Sequence, residues 1–215
     1  MLPTLGPTTA QLRLLPEIIG RADTELRQHL AAIQPFYALS GTLTMYAHNI
    51  EAYHDIARLF DVLIAREPVF SIYMFAQIVL DRRDEILEID EPDMLHVILG
   101  KVPLNMDLDA LIAKSVDLQN KIPPHKLAEW RRISSASVLK TMSSVEDCSR
   151  QTMAQGQEYF EQQVEEIQWL ERQQKAKALL WAYRKPAASV GVAVAVGLLS
   201  MYLYRSSAAL RSWHS

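Results

Sequence analysis

Apolar residues recur along this chain at spacings of three and four, the period of a helix with one buried face. Leu12, Leu15, Ile18 and Ile19 form a first short stripe that stops at Gly20, with Pro16 tolerable only in a first turn. Asp23 predicts an N-cap for a helix carrying Leu26, Leu30 and Ile33, and Pro35 ends or restarts that helix. Phe36, Leu39, Leu43, Tyr46, Ala47 and Ile50 then predict one longer helix, and Ile56, Leu59, Phe60 and Leu63 line one side of the next. Residues 69–80, opened by Pro68, are apolar almost all round, which places their helix in the middle of a core. Two shorter helices are expected at 92–99 and 107–120, divided by Pro103 and stopped by Pro123-Pro124. No convincing strand and no internal repeat is present, so the fold class is all-α.

After residue 124 the pattern changes. Residues 134–149 are rich in serine and small side chains, and 151–174 are dense in Gln and Glu with apolar positions at Phe160, Val164, Ile167 and Leu170. That spacing predicts an amphipathic stalk helix. It fails as a coiled coil, because the continuing core positions are Glu171 and Gln174. Residues 187–204 then run for eighteen positions without a charge, with Arg184-Lys185 before them and Arg205 after. At about 1.5 Å per residue this length just crosses a hydrocarbon core of roughly 30 Å, which predicts a transmembrane tail anchor at 186–204, marked by Pro186, Val190, Val194, Leu198 and Tyr202. Cations are denser before it, so the positive-inside rule puts residues 1–185 in the cytosol and 205–215 in the lumen. No secretory signal is expected at the N-terminus, which has no basic n-region.

Charge and chemistry narrow the function classes. A formal net charge of −3 over 215 residues offers no basic face for nucleic acid. The single cysteine, Cys148, excludes an intramolecular disulfide framework. The six histidines form no i, i+4 pair, the acids at 84–93 lack the ordered spacing of a calcium loop, and the glycines make no phosphate-binding loop. Neither a metal nor a cofactor is expected. Arg58 and Asp61, three apart among apolar neighbours, are expected to pair along one helix face, and a buried pair of that kind must be hydrogen-bonded.

That pair brings in a resemblance. Ala38-Leu39-Ser40, Ala47-His48, Arg58-Leu59-Phe60-Asp61, Pro68, Ile72-Tyr73 and Ile78-Val79-Leu80 are similar, in that order, to the C-terminal half of the TBC domain of Rab GTPase-activating proteins. Ser40, His48, Arg58, Asp61 and Pro68 are its structural motif positions here. The resemblance covers roughly residues 9–127 and implies a helical array as the fold and a GTP-bound Rab-family small GTPase as the partner. The implied organisation is a partial TBC domain at 1–127, a linker and stalk at 128–185, the anchor at 186–204 and a short tail at 205–215. With the anchor, it selects the membrane-bound branch of the family, implying early secretory, ER-to-Golgi traffic at the endoplasmic reticulum; the mitochondrial outer membrane is the alternative placement.

Two departures from the family pattern carry expectations. Gly41 and Met45 stand where relatives usually have Trp and another large aromatic, so the helix there is expected to pack less firmly. The family accelerates GTP hydrolysis with an arginine from I-x-x-D-x-x-R, which neutralises developing phosphoryl charge, and a glutamine from Y-x-Q, which positions water. Ile78-Val79-Leu80-Asp81-Arg82-Arg83-Asp84 begins like the first motif but has Asp84 at the arginine position, and no tyrosine has glutamine two residues on. The chain alone is therefore expected to lack Rab-GAP activity and to be no enzyme, with a non-catalytic tail-anchored adaptor as the alternative function.

Overall fold

The computed structural model describes residues 2, 4–103 and 106–211, with the side chains at 180, 183–195 and 202–211 outside that description. Every regular element among the described residues is helical. Residues divide into two compact units, Met1–Glu165 and Glu166–Ser215.

In the first unit, α1 (Gly6–Leu12) and α2 (Leu14–Ala22) bring Leu12, Leu14, Leu15, Ile18 and Ile19 wholly into the core. Asp23 caps α3 (Thr24–His29) as expected, its carboxylate accepting the Leu26 N–H at 2.9 Å. That N–H holds the Asp23 acid below its usual range, against the opposing effect of burial and with help from Arg83. A 3-10 turn at Pro35–Ala38 leads into α4 (Leu39–Leu43), followed by α5 (Tyr53–Ala65) and α6 (Phe70–Asp81). Then come α7 (Arg83–Leu87), α8 (Pro92–Leu99) and α9 (Leu108–Lys121), the last capped by Asp107, which accepts the Ala110 N–H at 3.0 Å.

The centre of the core is α6. Phe70, Ile72, Tyr73, Met74, Phe75, Ala76, Ile78 and Val79 are all buried, as the all-apolar run requires, because α2 and α9 pack along it. The Tyr73 hydroxyl, carried into this interior, donates to the Ile122 carbonyl at 2.5 Å, so its polar end is satisfied.

The single helix expected over 36–50 is broken. It ends at Leu43, and Met45 and Tyr46 both adopt left-handed backbone angles, φ 49° and 63°. Such a conformation costs about 1–2 kcal/mol per non-glycine residue. Here it swings the Tyr46 ring inward to 1 % exposure, where its hydroxyl donates to the Ser71 carbonyl at 2.6 Å. The Tyr46 and Phe75 rings stack at 6.3 Å over Gly41. The Tyr46 and Phe75 rings thus pack beside Gly41, where a larger side chain would have to sit.

Residues 127–139 also differ from the linker expected from 128 onward. Leu127, Ile133, Ala136 and Leu139 are buried, carried by a 3-10 turn at Glu129–Arg132 and by α10 (Val138–Thr141). The separation of these anchors, three to six residues through irregular backbone, has no helical period. Short α11 (Val145–Arg150) and the long α12 (Met153–Arg211) follow. Described apolar side chains of α12 such as Trp169 and Leu170 are exposed.

The transmembrane helix is corrected. Among the described residues no helix is long and apolar enough to cross a membrane. As far as Ala182, half of the α12 residues are Gln, Glu, Lys or Arg. Of the anchor positions, Leu198 is exposed, while Pro186, Val190, Val194 and Tyr202 lie outside the described side chains. The endoplasmic-reticulum and mitochondrial placements rested largely on that anchor.

Candidate functional site

The five motif positions do not converge on one centre. Ser40 is an exposed residue of α4 whose carbonyl accepts the Thr44 hydroxyl at 2.8 Å, and His48 is exposed in the turn after Tyr46. Pro68 sits just before α6, where its carbonyl accepts the Ser71 hydroxyl at 3.2 Å. Ser40 and Pro68 thus act through backbone carbonyls near helix ends.

Arg58 and Asp61 correct the expected ion pair. Both are exposed on α5, and Arg58 turns to Asp109 at the start of α9, with Nε 3.2 Å from Oδ1. Asp109 lies in the first turn of α9, where a carboxylate is favourable against the helix dipole. Leu59 is the one residue of α5 that is fully buried; Val62 and Leu63 pack half-buried against the core beside it, while Tyr53 at 84 % and Ile64 at 76 % exposure face outward.

The two arginines after Ile78 are both committed to the scaffold. Arg82 donates to the carbonyls of Ile98 and Lys101 at 2.9 and 2.8 Å, closing the C-terminal end of α8, and forks onto Glu85. That fork holds the Glu85 acid below its usual range, against a smaller opposing effect of burial. Arg83 pairs with Asp23 at 2.6 Å and with Glu25 and Asp84, which ties α7 to the start of α3. A guanidinium engaged in this way is a staple, unavailable to reach a nucleotide without breaking those contacts.

A cavity of about 310 Å³ opens where α5 and α9 begin, with Asn49, Glu51 and Asp55 on one side and Met106 and Leu108 on the other. Asn49 Oδ1 is buried there and has no hydrogen-bond partner among the described residues. Nothing in this lining supplies a nucleophile or a phosphate cradle. Among the described residues no group of His, Cys, Asp and Glu is arranged to hold a metal ion.

Sequence reasoning missed Tyr46 and Phe75 as the pair that completes the core beside Gly41. The signal available was Gly41 itself: a methyl group there would lie 3.1 Å from Phe75 Cε2.

A helical body with these ordered positions is homologous to GTPase-activating proteins of the TBC class. The GTPase-activating protein gyp10 of Schizosaccharomyces pombe is 36% identical over 129 residues, covering 57% of this chain and 35% of that protein. TBC1 domain family member 20 of Homo sapiens and of Bos taurus is 32% identical over 129 residues, covering 59% of this chain and 32% of each relative. No family model matches the chain. The chain spans about a third of the length of the curated relatives it matches.

These names overturn the expectation that the chain is no enzyme. The relatives are GTPase activators, a class whose work is catalytic. Two motifs missing from a stretch equal to a third of such a protein do not place it outside that class.

Proposed function

We propose that this chain belongs to a Rab GTPase-activating protein, with a GTP-bound Rab-family GTPase as its partner and early secretory traffic as its setting. The observation that carries the reading is the similarity over 129 residues to gyp10 and TBC1 domain family member 20. The ordered positions from Ala38 to Leu80 support it, as does the all-helical body. Exposed apolar side chains on two helices, Tyr53 and Ile64 on α5 and Met94 and Val97 on α8, suit a protein that meets a macromolecular partner.

Acceleration by such proteins consists of placing positive charge and orienting water at the phosphoryl group, and the helical body supplies the rigid frame from which that is done. The test is binding of the chain to a panel of purified Rab GTPases, each loaded with a non-hydrolysable GTP analogue or with GDP. Nucleotide-dependent binding to at least one member is the expected result. Equal or absent binding across the whole panel overturns the reading, and single-turnover hydrolysis with the bound member then measures the activity itself.

A further inference from the structure

Glu17 and Arg21 lie one turn apart on α2 and pair at 3.1 Å. Together they grip a piece of chain more than a hundred residues away. The two Glu17 carboxylate oxygens accept the backbone N–H groups of Ala128 and Glu129 at 2.7 and 3.0 Å, and Arg21 donates to the Lys126 carbonyl at 2.9 Å. Those N–H groups open the 3-10 turn at Glu129–Arg132, where a helical turn cannot satisfy its own first donors. Burial works to raise the Glu17 acid, yet the Glu129 and Ala128 N–H groups and Arg21 outweigh it and hold the acid below its usual range.

Beyond this grip, Leu127, Ile133 and Leu139 enter the core, and Lys140 lies 5.7 Å from the Trp130 ring while bonding the Ile133 carbonyl. The outer side of the same segment receives α12: Gln163 donates to the Ala136 carbonyl at 2.8 Å and Gln162 to the Ser135 hydroxyl at 3.3 Å. Residues 126–140 thus stand between α2 and the first turns of α12, within the first unit. At the centre of the core, α6 meets α2 and α9 directly.

We propose that residues 126–140 form a strap, clasped by Glu17 and Arg21, that seats the first turns of the long helix on the helical body. Opening the clasp releases the strap and those turns together while the α6 and α9 core stays closed, a local unfolding unit of its own. Hydrogen exchange of the full chain, read by mass spectrometry, tests this with Glu17→Ala, Glu17→Gln and Arg21→Ala. Exchange at 128–140 and 153–165 is expected to speed up about tenfold or more in Glu17→Ala, since charge-assisted bonds to two backbone groups are lost, with 70–81 and 108–121 unchanged. Glu17→Gln keeps one acceptor oxygen and opens less. Unchanged exchange at 128–140 overturns the clasp, and a strap that opens while 153–165 keep their protection overturns the seating. Loosening of 70–81 by the same factor, or failure of both Glu17 variants to fold, overturns the strap as a separate unit.

Discussion

Helices α5 and α6 are neighbours in sequence and both rich in large apolar residues, yet they occupy opposite situations. Eight residues of α6 are buried, among them Phe70, Tyr73 and Phe75, whereas α5 buries Leu59 alone. The cause is position. Helix α6 has α2 and α9 along its sides, whereas α5 meets the core along one side only, through Leu59 with Val62 and Leu63 half-buried beside it. A stripe such as Ile56, Leu59, Phe60 and Leu63 states which side of a helix is fit for burial; it does not state how completely the neighbours cover it. The outward side of α5, with Tyr53 and Ile64, stays exposed.

The largest expected effect separates the two helices by truncation. Phe75 lies at 1 % exposure between Tyr37 and Tyr46, with ring centroids at 6.0 and 6.3 Å. Phe75→Ala is expected to cost about 3–5 kcal/mol in urea unfolding, by lost transfer energy and the cavity left behind. Ile64→Ala on α5 is expected to stay within about 0.5 kcal/mol, as surface substitutions do. Similar losses from both would show that α5 is covered in solution, and the contrast would collapse.

How much of this was legible in the sequence depended on whether the signal was local. The Asp23 cap, the Pro92 start of α8 and the all-apolar run of α6 were readable because a few adjacent residues specify each. The break at Met45 and Tyr46 was not, since neither residue type favours a left-handed backbone and only the distant Ser71 carbonyl and Phe75 ring repay it. Leu127, Ile133 and Leu139 were missed because irregular backbone carries no period. Among the motif positions, Ser40 and Pro68 were found as residues but not as junction groups, and Arg58 was given the wrong partner because spacing within one helix cannot reveal Asp109 on another.

An intermediate effect sharpens the comparison at the face of α6 that meets α4. The Phe75 ring is held by Tyr37 and Tyr46, so it cannot yield to a methyl group placed 3.1 Å from Cε2 by Gly41→Ala. Overpacking is expected to cost about 1–3 kcal/mol, exceeding the roughly 0.5–1 kcal/mol that alanine gains over glycine within a helix. Gly156→Ala in α12 has no atom within 4 Å of the new carbon, so it retains the gain and stabilises that helix. Thermal melts followed by circular dichroism read both. A stabilising Gly41→Ala would mean that the α6 surroundings are softer than the stacked rings imply.

The smallest effect is the most direct probe of the α5 surface. Arg58 and Asp109 are 49% and 77% exposed, so water and salt screen their attraction. Arg58→Ala is expected to cost about 0–1 kcal/mol, with a coupling to Asp109→Ala below about 0.5 kcal/mol that shrinks further in 0.5 M salt. The alternative first suggested by the sequence, a buried pair with Asp61, would lose about 3–5 kcal/mol when one partner is removed and would ignore salt. A double-mutant cycle over Arg58 and Asp109 at two salt concentrations separates these cases. A salt-insensitive coupling above about 2 kcal/mol would place Arg58 under cover, and α5 would then be an inner helix like α6 and not the open side of the body.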